Sequence, residues 1–178
     1  MKKIKISKKT IIIIAGVVFF FAFIILMTQF RPGNIYFDNG YNKTFEIFID
    51  GEKIGEVGPL KFMWAKSVKN GGCKIEIKEN GKLFDSSEVE VKGAKFVYNI
   101  GGKNTYYVVT HQYAKSGVSI GPHPRKISSE KFFYLPNVDF VLTDPPEKIE
   151  VKAPTTIVVK TSLQRETDLK KFYKNSED

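Results

Sequence analysis

The feature that most restricts this chain is a run of 17 residues, Ile11 to Met27, built only from Ile, Ala, Gly, Val, Phe, Leu and Met; Thr28, Gln29 and Phe30 extend it to 20. At about 1.5 Å per residue, a helix of that length matches the roughly 30 Å of bilayer hydrocarbon. Hydrocarbon offers no partners to backbone N–H and C=O groups, so a lone segment there must satisfy them internally, as a helix. A helix apolar on every side needs lipid or a large protein around it, and 178 residues leave room for one ordinary domain besides. Lys2, Lys3, Lys5, Lys8 and Lys9 precede the run, and only Arg31 follows closely. The positive-inside bias then holds residues 1–10 in the cytoplasm and sends the rest of the chain outward. A cleaved signal peptide would have a shorter apolar region and a small-x-small cleavage site. Leu26-Met27-Thr28-Gln29-Phe30-Arg31 offers neither that site nor a cysteine for lipid attachment. The sequence therefore predicts an uncleaved signal anchor, a single transmembrane helix over 11–30.

The formal charge of +9 resembles a nucleic-acid signal until it is divided along the chain. Five lysines belong to the leading segment, and from Arg31 onward 23 basic residues face 19 acidic ones. An outward domain so nearly balanced argues against nucleic acid as a partner. One cysteine, Cys73, excludes an intramolecular disulfide framework and a cysteine-rich zinc site.

Beyond Arg31-Pro32-Gly33 the apolar pattern changes to period two. Ile35-Tyr36-Phe37 precedes Asp38-Asn39-Gly40; Phe45, Ile47 and Ile49 then lead into Asp50-Gly51, and Lys53 to Val57 return. Cys73, Ile75 and Ile77 alternate with Lys74, Glu76 and Lys78 before Asn80-Gly81, and Leu83 to Val91 return. Glycine tolerates the positive φ of tight turns, so Asn39-Gly40, Asp50-Gly51 and Asn80-Gly81 all read as hairpin signals. Phe96-Val97-Tyr98, Tyr106–Tyr113, Lys131–Leu135, Val138–Leu142 and Ile149–Val159 supply further strands. Short strands with turns between them predict an all-β chain: an antiparallel β-sandwich over 34–163, Ig-like in architecture, which admits a division into packed sub-modules 34–91 and 95–163. Residues 164–178 read as a short charged helix or tail.

Ile47-Phe48-Ile49-Asp50-Gly51-Glu52-Lys53-Ile54-Gly55, Gly58-Pro59-Leu60 and Gly71-Gly72-Cys73-Lys74-Ile75-Glu76-Ile77 follow the order strand, Asp-Gly, strand, Gly-Pro, Gly, strand. In this order Asn34 to Val91 resembles the PEGA-type and carboxypeptidase-regulatory-like β-sandwich modules of bacterial and archaeal envelope proteins. Gly40-Tyr41-Asn42-Lys43 stands where the Pro-Glu-Gly-Ala tetrapeptide would be. The resemblance implies a small sandwich with a non-catalytic envelope role and transfers no functional residue. Tyr98 to Tyr106, with Gly101-Gly102 at its middle, matches no named motif and reads as strand, turn, strand.

Catalytic chemistry finds little support. His111 falls in a predicted strand, and His123 in Gly121-Pro122-His123-Pro124, a loop between prolines; with Cys73 they lack the short spacing of a zinc site. Cys73 opens an alternating strand and reads as a small buried apolar residue, so neither a metal nor a cofactor is expected. No serine lies in a Gly-x-Ser-x-Gly elbow, Gly101-Gly102-Lys103 lacks the spacing of a phosphate loop, and Glu88 and Glu90 share a solvated strand face. Asn42-Lys43-Thr44 is a glycosylation sequon, idle in a bacterium. Aromatics cluster with lysines around Trp64, Tyr107 and Phe133, which become the candidate interface residues. The resulting expectation is a bacterial cell-membrane protein with its N-terminus in the cytoplasm. Its outward or periplasmic domain binds a protein partner or a cell-wall component. The alternatives are a carbohydrate- or ligand-binding module and, third, an enzyme whose site is unrecognised.

Overall fold

A computed structural model of the chain describes residues 8–29, 32–114, 119–150 and 157–173. Lys2, Lys3 and Lys5 of the basic segment, Phe30 at the end of the expected span, part of the predicted strand Ile149–Val159, and residues 174–178 of the tail lie outside them.

Helix α1 runs Lys8–Gln29. Its described side chains, 13–24, are all exposed. Among the described residues no helix is long and apolar enough to cross a membrane. The transmembrane helix expected over 11–30 is therefore not shown by the described residues.

Twelve strands follow among the described residues: β1 Gly33–Asp38, β2 Phe45–Ile49, β3 Glu52–Val57, β4 Phe62–Val68, β5 Gly71–Glu79, β6 Lys82–Val91, β7 Lys95–Asn99, β8 Tyr106–Ala114, β9 Ser119–Ser128, β10 Phe132–Tyr134, β11 Phe140–Val141 and β12 Ile157–Arg165; α2, Glu166–Tyr173, continues directly from β12. α2 falls within residues 164–178, which the sequence leaves open as a short charged helix or tail. The all-β expectation holds for the domain, with more layering than a two-sheet sandwich. The strands form three four-stranded sheets, ordered β10-β7-β1-β4, β3-β2-β5-β6 and β11-β12-β8-β9. Most pairs are antiparallel, but β1 pairs with β7 and β11 with β12 in parallel.

The sheet holding β1 and β7 is central. Ile35 and Phe37 on one face join Phe45, Ile47, Ile75, Ile77 and Val89 in one core. Tyr36 and Val97 on the other face join Tyr106, Val108, Phe133 and Leu163 in a second. Successive strand residues point to opposite faces, so a strand covered on both sides must be apolar at consecutive positions. Ile35-Tyr36-Phe37 and Phe96-Val97-Tyr98 are such runs, and all six residues are buried. The β1–β7 pairing joins strands from either side of the 91/95 boundary, so the sheets do not follow the sub-module division.

Asp50-Gly51 and Asn80-Gly81 form the expected two-residue turns, with φ of 51°, 83°, 51° and 77° in chain order. Asn39-Gly40 does not make a hairpin. β1 and β2 lie in different sheets, and the buried Asn39 amide instead holds the crossing loop: its Nδ2 donates to the carbonyls of Lys43 (2.6 Å) and Gly58 (2.8 Å), and its Oδ1 accepts from Tyr41 N–H (2.9 Å). His123 is a second correction. It lies in strand β9, opposite Thr110, not in a loop. β9 is the edge of its sheet, where a proline's missing N–H costs no ladder bond.

Candidate functional site

The structure separates the three candidate aromatics. Phe133, Val97, Tyr36 and Trp64 form a cross-strand row on the central sheet, from edge strand β10 to edge strand β4. Phe133 is buried beneath β8, with its ring 5.1 Å from that of Tyr106, and is not available to a partner. The exposed residue is its neighbour Tyr134, since a one-residue step in a strand reverses the face. Tyr107 is partly buried, and its hydroxyl donates to Glu166 across 3.4 Å. Trp64 remains 44% exposed.

The Trp64 ring is held from two sides. It stacks on Tyr36 at 5.5 Å with planes 10° apart, and the Lys66 ammonium sits 4.2 Å from its centroid. Both contacts fix the ring without covering it, which lowers the entropy cost of using it for binding. Beside it a cleft of about 460 Å³ opens between β4 and β3, the edge strands of two different sheets; Ile54, Met63 and Val68 contribute apolar surface, and Asp50, Glu52, Lys66 and Lys69 contribute charge. β4 did not stand out as a strand in the sequence. It is also bulged: two residues, Lys66 and Ser67, stand opposite Asn34 alone, and Ser67 has φ of 58°. Bulges and lysines on an edge strand discourage indiscriminate pairing with other chains.

The residues weighed for chemistry stand apart. Cys73 is buried in the apolar core, and burial followed by the nearby charge of Asp50 pushes its thiol pKa up, the opposite of a reactive thiolate. His111 is buried with Nε2 2.9 Å from Ser162 Oγ, and desolvation lowers its pKa. His123 is exposed at its edge strand. Among the described residues no three His, Cys, Asp or Glu side chains gather to hold a metal ion.

One charged cluster escaped the sequence reading. Asp38 is fully buried; it receives Nε of Arg165 at 3.0 Å, a further bond from Arg165 Nη2, Asn104 Nδ2 at 2.8 Å and the Tyr106 hydroxyl at 2.6 Å. Arg165 Nη1 donates to the Leu60 carbonyl at 3.0 Å. Burial alone would lower the Arg165 pKa, but hydrogen bonding and the charge of Asp38 outweigh it and raise the value; Tyr106 is driven upward by burial first and Asp38 second. Among the described residues no buried side-chain nitrogen or oxygen lacks a hydrogen-bond partner, so the group's chemistry is that of a structural fastener. The Tyr98 to Tyr106 segment serves it. The Asn99 side chain accepts from Asn104 N–H (3.0 Å) and donates to Asn104 C=O (2.8 Å), which aims Asn104 at Asp38. The Gly101 and Gly102 φ values of 62° and 64° make the intervening tight turn.

Comparison with family models, curated proteins and solved structures finds no match to this chain.

Proposed function

We propose that this chain is a single-pass membrane protein of the bacterial envelope, with a non-catalytic outward β domain that binds a protein partner or a cell-wall component. The observation that carries the reading is the condition of α1. Its large apolar side chains from Ile13 to Ile24 are between 41% and 75% exposed, around the whole circumference. A soluble protein rarely leaves a contiguous apolar surface of that extent uncovered, whereas lipid covers it at no cost. The apolar run in the sequence goes past both ends of that stretch, from Ile11 to Phe30 but for Thr28 and Gln29. Trp64, held flat at a sheet edge, supports binding as the domain's task. It supports equally a second reading, a carbohydrate-binding module, because a fixed exposed indole stacks on sugars as well as on protein. The resemblance of residues 34–91 to PEGA-type modules points toward the first.

Two measurements test this. Alkaline carbonate should leave the protein in the membrane fraction, and protease added to spheroplasts should digest all but the anchor; release by carbonate would end the anchor reading. Purification in mild detergent should then yield a stoichiometric protein or wall fragment whose recovery falls with Trp64→Ala. A Trp64-dependent affinity for soluble glycans without such a partner would favour the second reading.

A further inference from the structure

We infer that the end of the β domain nearest α1 is a docking surface for the anionic phospholipid headgroups of the same membrane, an inference that rests on the anchor proposed above. Four residue steps separate Gln29, the last of α1, from Gly33, the first of β1. They can span at most about 14 Å, so the surroundings of Gly33 must lie close to whatever surface α1 emerges from. Two turns make those surroundings. Gly33 pairs with Val68, at the start of the turn into β5, and packs against Val91, at the start of the turn into β7. Asn34 N–H donates to the Ala94 carbonyl at 2.8 Å, and Gly93 N–H to Asn70 Oδ1 at 2.8 Å, which ties the two turns together.

Residues 68–71 and 91–95 carry Lys69, Lys92 and Lys95 and no carboxylate, and all three lysines are exposed. Lys66 stands just before the first turn. Glu90 pairs with Lys92 at 3.1 Å and offsets its charge, so Lys69 and Lys95 carry the charge of this end; Asp50 Oδ1 accepts Lys74 N–H at 2.8 Å, and Glu52 lies across the cleft on another sheet. Beside Lys95, whose carbonyl takes Leu135 N–H, projects Tyr134, 61% exposed. Lysines flanked by an amphipathic aromatic, held within a short tether of a bilayer, are the chemistry that anionic headgroups attract. The opposite end of the domain, around Asp38, carries Lys43, Lys61 and Lys103, also exposed, and serves as an internal control.

The test uses the full chain reconstituted into vesicles of phosphatidylcholine, with and without a minority of phosphatidylglycerol. After a carbonate wash and flotation, exposed lysines are acylated with a membrane-impermeant succinimidyl ester and read by mass spectrometry. Labelling of Lys69 and Lys95 should fall about threefold in the anionic vesicles and recover in high salt, because exposed charges are screened there; Lys43, Lys61 and Lys103 should not change. Equal labelling in both vesicle types on protein that floats overturns the docking surface and leaves the anchor standing. Protection spread evenly over both ends also overturns it. Protein that fails to float overturns the anchor and the inference together. Protection by soluble polyphosphate in neutral vesicles, with none from phosphatidylglycerol, would assign the lysines to an acidic polymer in place of lipid.

Discussion

Across one face of the central sheet, Ile35 and Phe37 meet Phe45, Ile47, Ile75 and Ile77, and the one carboxylate tucked at its margin, Asp85, is paired with a half-exposed lysine, Lys131. Across the other, Tyr36 and Val97 meet Tyr106 and Leu163, and the Asp38–Arg165 pair closes the contact at one end. The first contact is made by two local hairpins with alternating side chains, and many hydrophobic pairs share its energy. The second is made by strands distant in sequence, and a few polar bonds fix how they meet. Burying a carboxylate and a guanidinium contributes little net stability over an apolar pair, but removing either partner leaves the other uncompensated. The two faces should therefore fail differently.

Arg165→Met should have the largest effect, a loss of about 3–5 kcal/mol in urea unfolding, with partial recovery in Asp38→Asn/Arg165→Met, where no buried charge is left alone. A cost below about 1 kcal/mol for the single substitution would mean that water reaches Asp38. Next comes Ile77→Ala on the apolar face, about 3 kcal/mol with no rescuing partner, since a cavity is left where a fully buried side chain stood. Tyr106→Phe should cost about 2 kcal/mol, the scale of one hydrogen bond to a buried charge, and be nearly silent once Asp38 is also replaced.

The smallest effect is one of pH. Burial lowers the His111 pKa below its ordinary 6.5, so the unfolded chain takes up the proton first. Stability present above pH 6.5 should decline as pH falls through that value toward the lower folded pKa. His111→Gln should flatten that portion of the profile; an unchanged slope would show that other groups set it.

The legible parts of this fold are those whose signals are local. Asp50-Gly51 and Asn80-Gly81 announce their turns because positive φ restricts which residues can stand there, and β5 shows its period of two plainly. The central strands were legible as strands, but the absence of alternation in Phe96-Val97-Tyr98 was the available sign of a third sheet. β9 was hidden by Pro122 and Pro124, which an edge strand tolerates. Phe133 and Tyr134 are equally aromatic, and only register decides which one is buried. Of the candidate site, Trp64 could be named from sequence, whereas the Tyr36 stacking that holds it could not. Asp38 and Arg165 had no signature, because a pair 127 residues apart leaves no periodicity.

That separation also sets an order of events during synthesis. β1 emerges early with Asp38 near its end, and its carboxylate must remain in water until Arg165, at the end of the last strand, has been made. The sheet β3-β2-β5-β6 can form and cover its side of β1 long before then, since its contacts lie within a few dozen residues. The opposite side, with Tyr36 and Val97, receives Tyr106 and Val108 of β8 earlier, but is completed by Leu163 only when β12 has been made. Closing so long a loop is slow relative to local hairpin formation, and a nascent or truncated chain ending short of residue 165 presents a domain whose Asp38 carboxylate has no guanidinium to meet it.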